Sequence, residues 1–187
     1  MGEDSPNIQY LRGRFGELIL DSHAFRGDET VIIRRDALKE FFHFLKEDTK
    51  LDFNFLTDIT AVDYLGKREP RFELVYQVYS MRAKHRLRVK VPVPAEDPEV
   101  DSLIPLWKGA NWLEREVWDM FGIRFRGHPD LKRILLYEEF RGHPLRKDYP
   151  VNQRQPLIPE RALTGTFVDT RSDDRLLQLK QKLEHER

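Results

Sequence analysis

The sequence predicts an α+β fold: a two-layer domain with a largely antiparallel sheet packed against helices, plus an extended C-terminal arm. Three observations carry this. Residues 71–81 (RFELVYQVYSM) and 85–93 (HRLRVKVPV) alternate apolar and polar side chains on either side of the short link Arg82–Lys84, the pattern of two half-buried strands joined as a hairpin. Leu38, Phe41, Phe42 and Leu45 recur at the i, i+3, i+4, i+7 spacing of an amphipathic helix, and one face of the hairpin is there for that stripe to cover. Beyond about residue 140 the periodicity fails, and Pro144, Pro150, Pro156 and Pro159 punctuate a tail too irregular to build its own core.

The remaining elements follow in chain order. A helical turn is expected over Ile8–Arg14. Glu17–Asp21 and Thr30–Arg34 read as strands around a polar link containing Gly27 and Asp28. Asp36 is placed to cap the helix that continues to residue 47. Residues 53–64 are apolar with Asp58 and Asp63 interleaved, a further strand. Pro92, Pro94 and Pro98 end the sheet section. A short helix over Val100–Trp107 is expected to lead through Gly109 into a longer one, Ala110–Phe121, closed by Gly122. The domain is thus assigned to residues 1–140 and the arm to 141–187, with a terminal helix at about 172–185. Asp173 and Asp174 near its start and Lys180 and Lys182 later suit the helix dipole.

Composition removes whole classes of function. The 187 residues carry 32 Lys+Arg against 32 Asp+Glu, without the cationic surplus a general nucleic-acid binder needs to displace phosphate counterions. Hydrophobic residues at 40% suffice for a core. With no cysteine the chain offers no disulfide, thiolate zinc site, cysteine nucleophile or cysteine-ligated cluster. No apolar run is long enough to span a bilayer, and the acidic start Met1–Asp4 leads into no signal-peptide core. The chain reads as soluble and intracellular. Dinucleotide, P-loop, zincin and nucleophile-elbow motifs are all missing from it.

The densest chemistry-bearing cluster is Glu114-Arg115-Glu116-Val117-Trp118-Asp119. Glu116, Asp119 and the downstream His128 form a conceivable metal or acid–base set. Helical geometry disfavours it: at ~100° per residue, Arg115, Asp119 and Glu116 share an arc, while Glu114 points elsewhere. Arg115 and Asp119 stand at the spacing of a surface ion pair. Residues 123–147 hold seven Lys/Arg and two His against three Asp/Glu. This basic stretch, with Lys132 and Arg133 in it, suits an acidic protein partner better than RNA, since no groove-entering motif accompanies it. Trp112 and Trp118 fall outside the apolar arc and are candidate interface anchors.

Residues 114–123 (EREVWDMFGI), Phe125, 127–131 (GHPDL), 133–135 (RIL) and 142–150 (GHPLRKDYP) together resemble the signature of the 30-kDa (C) subunit of NADH:quinone oxidoreductase, respiratory complex I, whose relatives occur in membrane-bound hydrogenase complexes. The resemblance implies a non-catalytic scaffold subunit in the peripheral arm of a proton-translocating oxidoreductase. It implies no cofactor in this chain, FMN, iron–sulfur clusters and quinone belonging to partner subunits. The expected partners are the hydrogenase-large-subunit-like chain of the quinone site and neighbouring iron–sulfur subunits. Membrane association would come only through the complex, on the cytoplasmic side of a bacterial inner membrane. The equivalent subunit of a hydrogenase or other-donor complex is the alternative. The residues the signature marks for the subunit interface are Glu114, Arg115, Glu116, Asp119, Phe121, His128, Pro129, Arg133, His143, Pro144, Arg146, Lys147, Asp148 and Tyr149.

Overall fold

The computed structural model describes residues 5–156. Helix α1 (Pro6–Phe15) starts where Ser5 Oγ accepts the Ile8 amide and Pro6 fills a first-turn position that needs no donor. Strands β1 (Ile19–Phe25) and β2 (Asp28–Ile33) form a hairpin turned at Arg26–Gly27, both with positive φ. Helix α2 (Leu38–Glu47) follows a single 3-10 turn. Strands β3 (Phe55–Asp63), β4 (Phe72–Ser80) and β5 (His85–Val93) complete a five-stranded sheet in the order β1-β2-β5-β4-β3. Only the β2–β5 pair within it is parallel, so the largely antiparallel α+β fold stands as expected.

The sheet has one apolar inner face. Leu74, Tyr76 and Val78 of β4 and Leu87, Val89 and Val91 of β5 are buried there with Phe41, Phe42 and Leu45 of α2. Tyr76 meets Phe42, which in turn meets Trp107 edge-on. That continuity of aromatic and aliphatic burial, worth about 25 cal/mol per Å² of apolar surface removed from water, holds the layers together.

Two expectations are corrected. Asp36 does not cap α2: its carboxylate is paired with Arg34 at 2.5 Å, and no side chain caps that helix. The expected helix over Val100–Trp107 is not formed. Glu99–Asp101 is instead a short strand, β6, paired in parallel with β7 (Arg124–Arg126). Residues 103–107 make turns closed on the Leu103 carbonyl. Val100 and Leu103 satisfy their hydrophobicity through this long-range pairing rather than along a helical stripe. Helix α3 (Ala110–Phe121) lies between the two, closed by Gly122 at φ 74°. The compact unit containing these elements runs to Gln155. The terminal helix expected near 172–185 lies outside the described residues.

Candidate subunit interface

Arg115, Asp119, Arg133, His143 and Arg146 of the signature meet around the C-terminal half of α3. Asp119 is wholly buried. Its carboxylate takes Arg133 Nη1 at 2.6 Å and three successive backbone amides, Ile134, Leu135 and Leu136, at 3.0–3.1 Å. Three amides converging on one carboxylate oxygen are a strong trap for negative charge. Although burial opposes ionisation, the amides and the guanidinium hold Asp119 below the usual carboxylate range. The expected surface pair of Arg115 and Asp119 is therefore not made. Arg115 donates to the carbonyls of Lys132 and Arg133, so it clamps the same loop by its backbone while Arg133 supplies the counter-charge.

The loop is fastened onward from there. Arg133 also donates to the Phe140 and Gly142 carbonyls. His143 Nδ1 lies 3.0 Å from the Asp119 carbonyl and donates to it, and burial pushes the pKa of this imidazole down. Arg146 donates to the Phe121 carbonyl, and the Leu145 amide to that of Met120. Gly122 permits this approach, since a Cβ there would fall 2.5 Å from Arg146 and 2.6 Å from the His143 ring. Phe140 stacks on Tyr149 at 6.1 Å. Phe121 is buried in the core; Pro144 is half-buried beside His143, while Glu116 and Pro129 are exposed.

A second carboxylate ties residues 147–148 to the sheet. Asp63, at the end of β3, takes two bonds from Arg71 (2.9 and 2.7 Å) and one from the Lys147 amide at 2.8 Å. Arg71 reaches on to Asp148 at 2.8 and 3.0 Å. Burial works against Asp63, yet these donors bring its carboxyl down to about 2. Asp63 and Arg71 belong to a weaker upstream part of the family likeness and not to the expected interface set; each has a partner more than seventy positions away, which no local periodicity signals.

Glu114 differs from both. It is fully buried and bonded to Ser102 Oγ and the Leu103 amide, each at 2.7 Å, with no ion pair among the described residues. Burial pushes its carboxyl up to about 7. It braces the 102–104 turn instead of facing a substrate. The metal or acid–base trio of Glu116, Asp119 and His128 is not assembled: Asp119 is consumed in its amide nest, and both ring nitrogens of His128 are engaged, by the Asn111 carbonyl and the Asp130 amide. Among the described residues no group of three potential metal ligands occurs, and no helix is long and apolar enough to cross a membrane.

Among the charged side chains that the frame exposes stand several large apolar ones. Trp112 is 64% exposed, Leu135 61% and Leu145 50%. Leu135 and Leu145 hang from the same turn of α3 through Asp119 and Met120, and Arg115 stacks over Trp112. Exposed apolar side chains of this kind are candidates for contact with a partner.

Residues 31–155 match the family described as the respiratory-chain NADH dehydrogenase, 30 Kd subunit. The chain belongs to that family. It is 48% identical over 158 residues to the C subunit of the NADH-quinone oxidoreductase of Geobacter sulfurreducens, covering 83% of this chain and 96% of that one. The corresponding C subunit of Roseiflexus sp. is likewise 48% identical over 148 residues, 79% of this chain and 84% of its relative. Among solved structures, a trypsin-resistant fragment of Nqo5 superposes with a TM-score of 0.59 at 36% identity, covering 67% of this chain and 96% of the fragment. A chain of the membrane-bound sulfane sulfur reductase, an archaeal respiratory membrane complex, superposes at 0.65 with 22% identity, covering 78% and 85%. That second likeness is one of fold alone. The signature segments lie entirely within the family match.

Proposed function

We propose that this chain is a non-catalytic scaffold subunit in the peripheral, quinone-reducing arm of a proton-translocating NADH:quinone oxidoreductase. The observation that carries the reading is the exposed Trp112, Leu135 and Leu145 side chains mounted on a frame in which the buried carboxylates Asp119, Asp63 and Glu114 are bonded within the chain. A group meant for catalysis is left facing substrate; here Asp119, Asp63 and Glu114 face only their own chain. The relatives named as subunits of NADH-quinone oxidoreductase supply the assembly. On this reading the partners are the hydrogenase-large-subunit-like chain of the quinone site and adjacent iron–sulfur subunits. Flavin, clusters and quinone reside in those partners, and the membrane is reached only through them, from the cytoplasmic side.

Native electrophoresis of gently solubilised source membranes, with mass spectrometry of the band holding this chain, tests the proposal. A very large band with flavin- and cluster-bearing companions is expected, and those companions identify the electron donor. A hydrogenase set in their place selects the alternative parent complex. The chain found alone in the soluble fraction overturns the scaffold reading.

A further inference from the structure

The helices pack on the inner face of the sheet, where Tyr76 meets Phe42. The opposite face carries a cleft of about 470 Å³ over β2, β5, β4 and β3. Strand pairing places its lining in two rows. In the first, Arg86 of β5 lies opposite Tyr79 of β4, which lies opposite Phe55 of β3, with Asp28 on the β2 side. In the second, Arg88 lies opposite Gln77, and Gln77 opposite Asp58. Residues 86 and 88 share one face of β5, on the order of 7 Å apart.

The charges here are underused. Arg86 is exposed and makes no ion pair or side-chain hydrogen bond among the described residues, while Arg88 reaches only Thr30 Oγ1 at 3.4 Å. Elsewhere the domain spends its arginines: Arg71, Arg126 and Arg133 each hold a carboxylate at 2.6–2.8 Å. Phe55 is 44% exposed and Tyr79 half-buried beside the arginine pair. Two guanidiniums with an aromatic floor favour a carboxylate that carries an apolar neighbour. Asp28 and Asp58, set at opposite corners, repel a uniformly anionic polymer or lipid surface and leave room for a cationic flank. This alternation of charge fits a polypeptide of mixed sequence and disfavours nucleic acid or membrane.

We propose that this cleft docks an extended segment of a partner protein, presenting a carboxylate to Arg86 and Arg88 and an apolar side chain to Phe55 and Tyr79. It is a second docking surface, separate from the α3 face and independent of the scaffold reading.

The test places a photo-crosslinking p-benzoylphenylalanine at Phe55 in the full chain expressed in its source cells, with the same residue at exposed Leu20 as a control. Mass spectrometry then sequences the crosslinked product. The expected product joins residue 55 to an Asp- or Glu-containing peptide of another protein, with a yield that falls roughly tenfold in the Arg86→Glu/Arg88→Glu background. The milder Arg86→Gln, which keeps the fold of an exposed strand position, should lower it by a smaller factor. Crosslinks no more frequent than at Leu20, crosslinks to this chain, lipid or nucleic acid, or a yield indifferent to all arginine changes would overturn the proposal.

Discussion

Replacing Asp119 by asparagine would leave Arg133 and part of a three-amide nest without a counter-charge in a buried site. Breaking such a pair costs about 3–5 kcal/mol, so urea denaturation of Asp119→Asn should show a loss of that size. Arg115→Ala removes two bonds to carbonyls at a half-exposed position and should cost about 1–2 kcal/mol. Equal losses would mean that the backbone clamp by Arg115 holds the loop as strongly as the buried charge pair does. Glu114 gives a pH signature of opposite sign to the aspartates. Its carboxyl rises from 4.5 to about 7 in the fold. Between those values the folded chain keeps a proton that the unfolded chain has lost, so stability falls as pH rises through the window, by about 3 kcal/mol at most. Above it the penalty is constant. Glu114→Gln should flatten this slope in melts across the window; an unchanged slope would locate the proton elsewhere. At this scale the sequence displayed the right residues with the wrong partners. The i, i+4 spacing of Arg115 and Asp119 is a local fact, whereas Arg133 wins because the returning loop delivers amides as well as charge.

Secondary elements were legible where burial follows one period. The β4–β5 hairpin and α2 show their apolar stripes in the sequence itself, and the core uses the same residues. Val100–Trp107 failed because its apolar spacing suits a helix locally while β7 offers Val100 a strand partner at Phe125; tertiary pairing overrode a weak local preference. Nor does any local signal make β2 run parallel to β5. The end of α3 was legible as a glycine stop, but its second duty was not. Gly122 combines φ 74° with a site where a Cβ would meet Arg146 and His143. Gly122→Ala should therefore lose about 1–2 kcal/mol from backbone strain alone. It should also speed hydrogen exchange at the Leu145 amide, which bonds to Met120. Strain without that local opening would show that Arg146 and His143 can step aside and that the glycine serves only the helix end.

Across the whole compact unit, the Asp63–Arg71–Asp148 set ties Lys147 and Asp148 to the end of β3, while residues 143–146 are bonded to the end of α3. The reach from β3 to this segment is invisible in sequence, where an irregular, proline-marked stretch reads as arm. Asp63 is buried and Asp148 is half exposed, so the two carboxylates should not be equivalent. Asp148→Asn loses a solvent-screened pair and should cost under about 1 kcal/mol. Asp63→Asn leaves Arg71 poorly matched and the Lys147 amide weakly held, and should expose residues 147–149 to limited proteolysis while the β4–β5 core remains protected. Acid should reproduce that state without mutation. Asp63 is held near 2 against an ordinary value of 3.8; its stabilisation is complete above the ordinary value and fades as pH falls toward 2. Pepsin cleavage at 147–149 as pH falls from about 3.8 toward 2, preceding loss of core ellipticity, is the expected order. If the β4–β5 core and this stretch unfold together at every pH, the Asp63 set is part of one cooperative core. The proposed α3 docking surface would then be lost only with the whole domain, and Asp63→Asn would abolish assembly through global unfolding, not through release of its mounting.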